Sequence, residues 1–305
     1  MVALDERSKG LLLVLGTAIV SGVSVYLNKH ALASFSDPFA FTAMKNLAVA
    51  ALVLAGILLL SKSRELSRLS RRDWGSLLAI GLVGGSVPFM LFFWGLAQTG
   101  AATASLLQKT LFIPATALAF IFLKERLSKA QLAGSLLLFA GAAAFSGVAP
   151  QALGIGECAI IGAVLLWSAE DVISKTVLRA LAPETVVFGR MFFGSLAILA
   201  LLAATSRAPD VASLSGMQLA WLAFTALLLL AYNLTFYSGL KRIKVGEATA
   251  VLVAGSLVTS ALSLLDGAVP SPVELLALAA MLAGAVAVCM LPSAAIRAAG
   301  KPASA

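Results

Sequence analysis

The chain has 305 residues, of which 60% are hydrophobic and only 12% charged, and its mean hydropathy is +1.00. A soluble domain is ordinarily about 45–50% apolar and roughly 25% charged, so this much apolar surface has to face lipid. The 22 Lys and Arg exceed the 14 Asp and Glu, but the excess sits in short links between apolar runs, an orienting pattern rather than a nucleic-acid footprint.

A helix that crosses a bilayer needs about 20 mostly apolar residues. The first such run, 10–33, follows Arg7 and Lys9, is too long for a cleaved signal peptide, and carries Ser21, Ser24, Tyr26, Asn28 and Lys29. The second, 39–61, has Lys45 near its start. The third, 74–96, contains Pro88 and Trp94, and the fourth, 101–123, contains Gln108, Lys109 and Pro114. Each proline removes a helical hydrogen bond, so both spans are expected to kink. The fifth, 129–147, is small and apolar after Gln131. The sixth, 154–178, holds Trp167, Glu170, Asp171 and Lys175, and the seventh, 184–205, holds Arg190. Spans 217–239, with Tyr232, Asn233 and Tyr237, then 245–265 and 273–291 complete ten.

With both termini placed in the cytoplasm, 17 basic residues fall on the cytoplasmic side and only Lys29 and Arg207 on the other. That bias orients the chain as a multi-pass protein of the cell membrane. Five spans per half is an odd number, so a duplicated half inserts upside down. The duplication is visible in Gly100-Ala101-Ala102-Thr103-Ala104 and Gly246-Glu247-Ala248-Thr249-Ala250, at an offset of 146. Gly95-Leu96 and Gly239-Leu240 match at 144, Pro38 and Lys45 match Pro183 and Arg190 at 145, and Lys29 matches Lys175 at 146. The expected fold is therefore an all-α integral membrane protein of ten transmembrane helices, built as two inverted five-helix repeats over 10–147 and 154–291. Inverted repeats are a recurrent plan of carriers, with the substrate near the midplane where the halves meet.

The paired Gly-x-Ala-Thr-Ala openings and the segment Phe122-Leu123-Lys124-Glu125-Arg126-Leu127-Ser128 resemble the drug/metabolite transporter superfamily, and within it the EamA-type transporters. The Gly134 to Gly141 stretch, and a proline followed by a basic residue in spans two and seven, fit the same pattern. The second half departs from it, with Leu265-Asp266-Gly267-Ala268-Val269-Pro270-Ser271 in place of the Phe-Leu-x-Glu-x-Leu-Ser link. The resemblance implies an exporter or exchanger of small metabolites that works by alternating access. The small multidrug-resistance relatives carry a glutamate in their first helix, where this chain has only hydroxyls, an amide and a lysine, so simple cation-for-proton antiport is not implied.

A charge at bilayer depth costs roughly 2.5–3.5 kcal/mol on insertion scales, so such residues face water or a partner. Lys45, Lys109 and Arg190 are the candidate binders of a substrate carboxylate or phosphate, amino acids included, with Asn233, Trp94 and Tyr26 as further contacts. Glu170, Asp171 and Lys175 form a coupling or ion-pair group. Lys175 is four residues after Asp171 and can pair with it on one helical face, and Glu170 or Asp171 is the candidate carrier of a coupling proton. Lys29 is read as reaching the outer headgroups.

No cofactor and no metal are expected, since His30 is the one histidine, and Cys158 and Cys289 stand far apart in apolar runs. A membrane-embedded enzyme would need a catalytic constellation that these scattered groups do not form. No phosphate loop for an ATP-driven pump occurs, and a passive channel usually needs rings of identical groups. The expected partners are a small-molecule substrate and membrane lipid, not nucleic acid. Small faces on spans five and ten, at Gly134, Gly141 and Gly284, leave room for a homodimer.

Overall fold

In the computed structural model, which describes residues 5–60, 63–146, 153–207, 209, 211–266 and 271–290, helices start and stop within a few residues of the expected spans. The first two spans are α1 (Glu6–Leu32) and α2 (Pro38–Leu59), and a short α3 (Ser63–Ser67) lies in the link after them. The third span is two helices, α4 (Arg71–Gly85) and α5 (Val87–Gln98). The fourth is α6 (Ala101–Lys109), α7 (Phe112–Leu118) and a wide π-turn over Ala119–Leu123. Then come α8 (Lys129–Ser146), α9 (Ile155–Val177), α10 (Pro183–Ala204) and α11 (Gly216–Arg242). The ninth span is again divided, into α12 (Val245–Leu252) and α13 (Gly255–Ser263), and α14 (Pro272–Met290) ends the bundle. Lys62, Arg297, Lys301, the link Gly267–Pro270 and the domain edges at 147 and 291 lie outside the described residues.

Seven of these stretches, among the described residues, are long and apolar enough to cross a membrane. The expected fifth and tenth spans are apolar but shorter, at Lys129–Phe145 and Pro272–Val288. The sixth, α9, has the length but carries Glu157, Glu170, Asp171 and Lys175. The chain is a multi-pass membrane protein, and its regular structure among the described residues is all helical.

Helix starts follow from local chemistry. Asp5 accepts the Ser8 N–H at 2.9 Å and Asp37 the Phe39 N–H at 2.8 Å, with Pro38 filling the first position of α2. Reciprocal Ser-to-acid or Ser-to-amide boxes open four more helices. These are Ser70 with Asp73, Ser128 with Gln131, Ser215 with Gln218, and Ser271 with Glu274.

The expected kinks are present, and the third span shows how one is tolerated. Pro88 has no N–H to give the Gly84 carbonyl four residues earlier. That carbonyl instead accepts the indole N–H of Trp167 at 2.9 Å. Asn46 donates to the Gly85 carbonyl at 3.1 Å, and the Ser86 hydroxyl bonds back to Leu82 at 2.6 Å. The break is therefore satisfied by side chains from α2 and α9, which fixes it in the middle of the bundle.

Packing pairs helices from opposite halves of the chain. α1 lies on α11, α5 on α9, α2 on α10, and α8 on α14. The small faces of α8 and α14 meet each other: a methyl on Gly284 would stand 2.7 Å from the Gly134 carbonyl, and one on Gly141 2.8 Å from the Ala277 carbonyl. Gly134, Gly141 and Gly284 therefore line a seam between these two helices of one chain.

Two other crossings rest on glycine pairs. Gly10 meets Gly239 where α1 crosses α11, and Gly95 meets Gly156 where α5 crosses α9. Gly10 and Gly156 are 146 residues apart, Gly95 and Gly239 144 apart, the offsets of the sequence repeat. A Cβ at Gly95 would stand 2.5 Å from the Gly156 carbonyl oxygen, whereas one at Gly56 would meet nothing within 4 Å. Gly95→Val is accordingly expected to destabilise the bundle by about 1–3 kcal/mol, as overpacking does. Gly56→Val should leave the unfolding midpoint of the detergent-solubilised protein unchanged.

Candidate functional site

Where the broken helices converge, a cavity of about 70 Å³, counted as space open to the centres of water molecules, lies between α1, α2, α5, α6, α9, α10, α11 and α12. One water needs roughly 10–15 Å³ on that measure, so there is room for a few waters or a small solute. Its walls bring together Lys45, Lys109, Arg190 and Asp171 with Trp167, Tyr232 and a phenylalanine cluster from α5.

Lys45 is 1% exposed. Its ammonium sits 3.6 Å from the centroid of Phe93 and 4.6 Å from that of Phe41, one turn earlier on α2. It also donates to the Asn28 side-chain oxygen at 2.8 Å. Asn28 is oriented for this because its amide nitrogen is held by the Ser24 carbonyl at 2.6 Å.

Arg190 repeats the device on the other side. It donates to the Asn233 oxygen at 2.8 Å, while the Asn233 nitrogen is held by the Leu229 carbonyl at 2.7 Å. Its guanidinium lies 5.1 Å from the Phe89 ring and 5.6 Å from the Tyr237 ring. Lys45 and Arg190 are matched in the sequence repeat, and so are their aromatic partners Phe93 and Tyr237, 144 residues apart. A cation over an aromatic face gains about 0.5–2 kcal/mol, more when desolvated.

The carboxylates divide the work. Glu170 accepts the Tyr237 hydroxyl at 2.6 Å and the Ser174 hydroxyl, and its second oxygen lies 3.4 Å from Arg190 Nε. Gly84 leaves the room that Glu170 occupies, since a methyl there would stand 2.3 Å from the Glu170 Cγ. Asp171 points its carboxylate at the cavity, and its Oδ2 has no hydrogen-bond partner among the described residues.

Lys109 stands where α6 breaks into α7. Its ammonium donates to the Ser21 hydroxyl at 2.6 Å and to Gln108 at 3.1 Å, both neutral. Its stem passes Gly255, the residue matched to it at an offset of 146, where a methyl would stand 3.2 Å from the Lys109 Cε.

Other expected site residues lie elsewhere. Asn233 orients Arg190 from behind the cavity wall. Tyr26 packs edge-on against His30, ring centroids 4.7 Å apart, and neither Tyr26 nor Trp94 lines the cavity. Lys175 does not pair with Asp171; it donates to the carbonyls of Leu240 (2.6 Å), Lys241 (3.3 Å) and Ile243 (2.7 Å), where α11 ends. Lys29, its sequence match, donates to Leu96 (2.9 Å) and Ala97 (3.2 Å), where α5 ends, rather than reaching outward. Each lysine satisfies carbonyls that a helix C-terminus leaves open. The contributions of Phe89, Phe92 and Phe93 were not foreseen; their signal is the aromatic run that follows Pro88.

The EamA-like transporter family model matches residues 8–147 and, a second time, residues 154–290. The chain belongs to the EamA-like transporter family. It is a membrane transporter of the drug/metabolite transporter superfamily. An uncharacterized transporter of Clostridium kluyveri is 27% identical over 207 residues, which is 65% of this chain and 66% of that protein. A solved crystal structure shares the fold with a TM-score of 0.72 at 22% identity, over 98% of this chain and 100% of the other. EamA-like transporters are generally not enzymes.

The Arg190–Glu170 contact is the part of this site whose removal has a calculable cost. Breaking a buried pair from one side costs about 3–5 kcal/mol, because the other charge stays buried, while replacing both partners is far milder. Arg190→Met should lower stability by about that amount. Arg190→Met with Glu170→Met should recover most of it in a chemical-unfolding series.

Proposed function

We propose that this chain is a secondary transporter, an exporter or exchanger, that moves small carboxylate- or phosphate-bearing metabolites by alternating access. One observation carries the reading: Lys109 and Lys45 face a central cavity, and among the described residues their ammonium groups contact neutral polar groups and aromatic rings rather than a carboxylate. A buried ammonium without a carboxylate is costly, and an anionic solute supplies the compensation. Asp171, with its open oxygen on the same wall, suits the ammonium of an amino acid or a coupling proton. The size of the cavity favours small solutes over nucleotide-sugars.

The reading places ten spans in two inverted halves, with both termini in the cytoplasm and the protein in the cell membrane. It is supported by the matched settings of Lys45 and Arg190, by Lys29 and Lys175 capping matched helix ends, and by the glycine crossings at repeat offsets. Lipid surrounds the bundle, and the substrate enters without a cofactor.

A thermal-shift screen of the purified protein against amino acids, small carboxylates and organic phosphates tests the anion site. Binders should raise the midpoint, and Lys109→Gln should weaken the response at least tenfold. A shift that Lys109→Gln and Lys45→Gln both leave undiminished would refute the assignment.

A further inference from the structure

The base of the bundle, meaning the end where α1, α8 and α12 begin, holds a second cluster of charged and polar side chains, separate from the cavity. Glu247, 2% exposed, lies one residue after Gly246 in the second Gly-x-Ala-Thr-Ala opening. It accepts Arg7 Nε from α1 at 3.0 Å, and a second Arg7 nitrogen pairs with the same oxygen. It also accepts the amide N–H of Gln131 from α8 at 2.9 Å. The other end of the Gln131 side chain caps Ser128, so it cannot swing away without uncapping α8. Two more contacts tie the start of α12 to the link before α8: Glu125 accepts the Val245 N–H at 2.7 Å, and Lys244 donates to the Arg126 carbonyl at 3.2 Å.

All eight residues of α12 are buried. Thr249 and Leu252, further along the same helix, line the cavity. The helix that Glu247 pins is thus the floor of the cavity at this end. The matched helix at the opposite end, α6, is held differently. It has Ala101 in place of Glu247, and Ala101, Thr103 and Gln108 are only half-buried.

We infer that Arg7, Gln131 and Glu247 are positioning residues that latch α12 over the base of the cavity, so that access from this end requires the Glu247 contacts to separate. The inference rests on the alternating-access reading for its role in transport. The latch itself follows from the geometry. Pulling α12 away means exchanging the Arg7 ion pair and the Gln131 hydrogen bond of Glu247 for water, a set of contacts that must separate together before the base opens. Solute held at Thr249 bears on the same short helix, which gives a cavity ligand leverage on the latch.

Cysteine labelling tests this without a transported solute, so its outcome is independent of whether an anionic substrate is found. With Cys158 and Cys289 replaced by serine, Thr249→Cys should react slowly with a membrane-impermeant maleimide offered from the base in oriented vesicles. Glu247→Ala or Arg7→Glu should raise that rate at least tenfold, and Gln131→Leu should raise it less. The exchange Arg7→Glu with Glu247→Arg should return it toward the starting value. Ser24→Cys, labelled from the opposite end, separates the latch from simple unfolding: release should lower its reactivity, whereas unfolding would raise both. Unchanged labelling of Thr249→Cys in both single variants, a joint rise at both sites, or a charge exchange that rescues nothing would overturn the inference.

Discussion

Holding positive charge in the middle of an apolar bundle is the constraint on which most of this structure depends. Lys45 and Arg190 each lie near the start of a helix, buried among side chains that offer them an aromatic face and an amide oxygen. Neither amide is free to turn, because each nitrogen is tied to the carbonyl four residues earlier on its own helix. The amide oxygens are thus fixed on the cations by helix geometry. Glu170 fits beside Arg190 only because Gly84 leaves space, and Gly84 is also the residue whose carbonyl Pro88 frees for Trp167. Helix break, glycine, tryptophan and ion pair are therefore one connected arrangement.

The same pairs of interactions recur at the two ends of the bundle. Lys29 closes the end of α5 and Lys175 the end of α11, and both helices cross a partner through glycines at the repeat offsets. Under the inverted-repeat reading these lysines cap opposite ends of the bundle. Each ties together helices of its own half, while the glycine crossings join the halves.

Much of this was legible from the chain. The apolar runs marked where the long helices lie, because crossing a bilayer demands length and hydrophobicity that can be counted along the chain. The prolines marked the breaks in the third and fourth spans, whereas the division of the ninth at Val253 and Ala254 has no proline to mark it. Lys45, Lys109 and Arg190 stood out because charge in an apolar run has few bland explanations. What was misread involved competition between local and distant partners. Lys175 has Asp171 at helical spacing, yet three open carbonyls at the end of α11 outcompete it. Tyr26 and Trp94 are at plausible depth, but which face of a helix meets the cavity is decided by crossing partners distant in sequence, α11 for α1 and α9 for α5. The partners of Glu247 illustrate the limit, since Arg7 and Gln131 are 240 and 116 residues distant.

The two Gly-x-Ala-Thr-Ala openings differ in what holds the helix that follows each of them. Gly100-Ala101 and Gly246-Glu247 begin matched helices, and the backbone demand at each is alike. Only the second carries a carboxylate, and only there do α1 and α8 supply groups to meet it. With equal contacts at both ends, either conformation of an inverted pair would be as stable as the other. Under the alternating-access reading, the difference at this matched position adds to the others between the halves, because opening at Glu247 must separate polar contacts that Ala101 does not make. On that reading the base contacts favour the conformation closed at this end, and a ligand would shift the balance only by its differential affinity for the two states. Thr249 and Leu252 are where such a difference can arise, since they share the short helix that Glu247 holds.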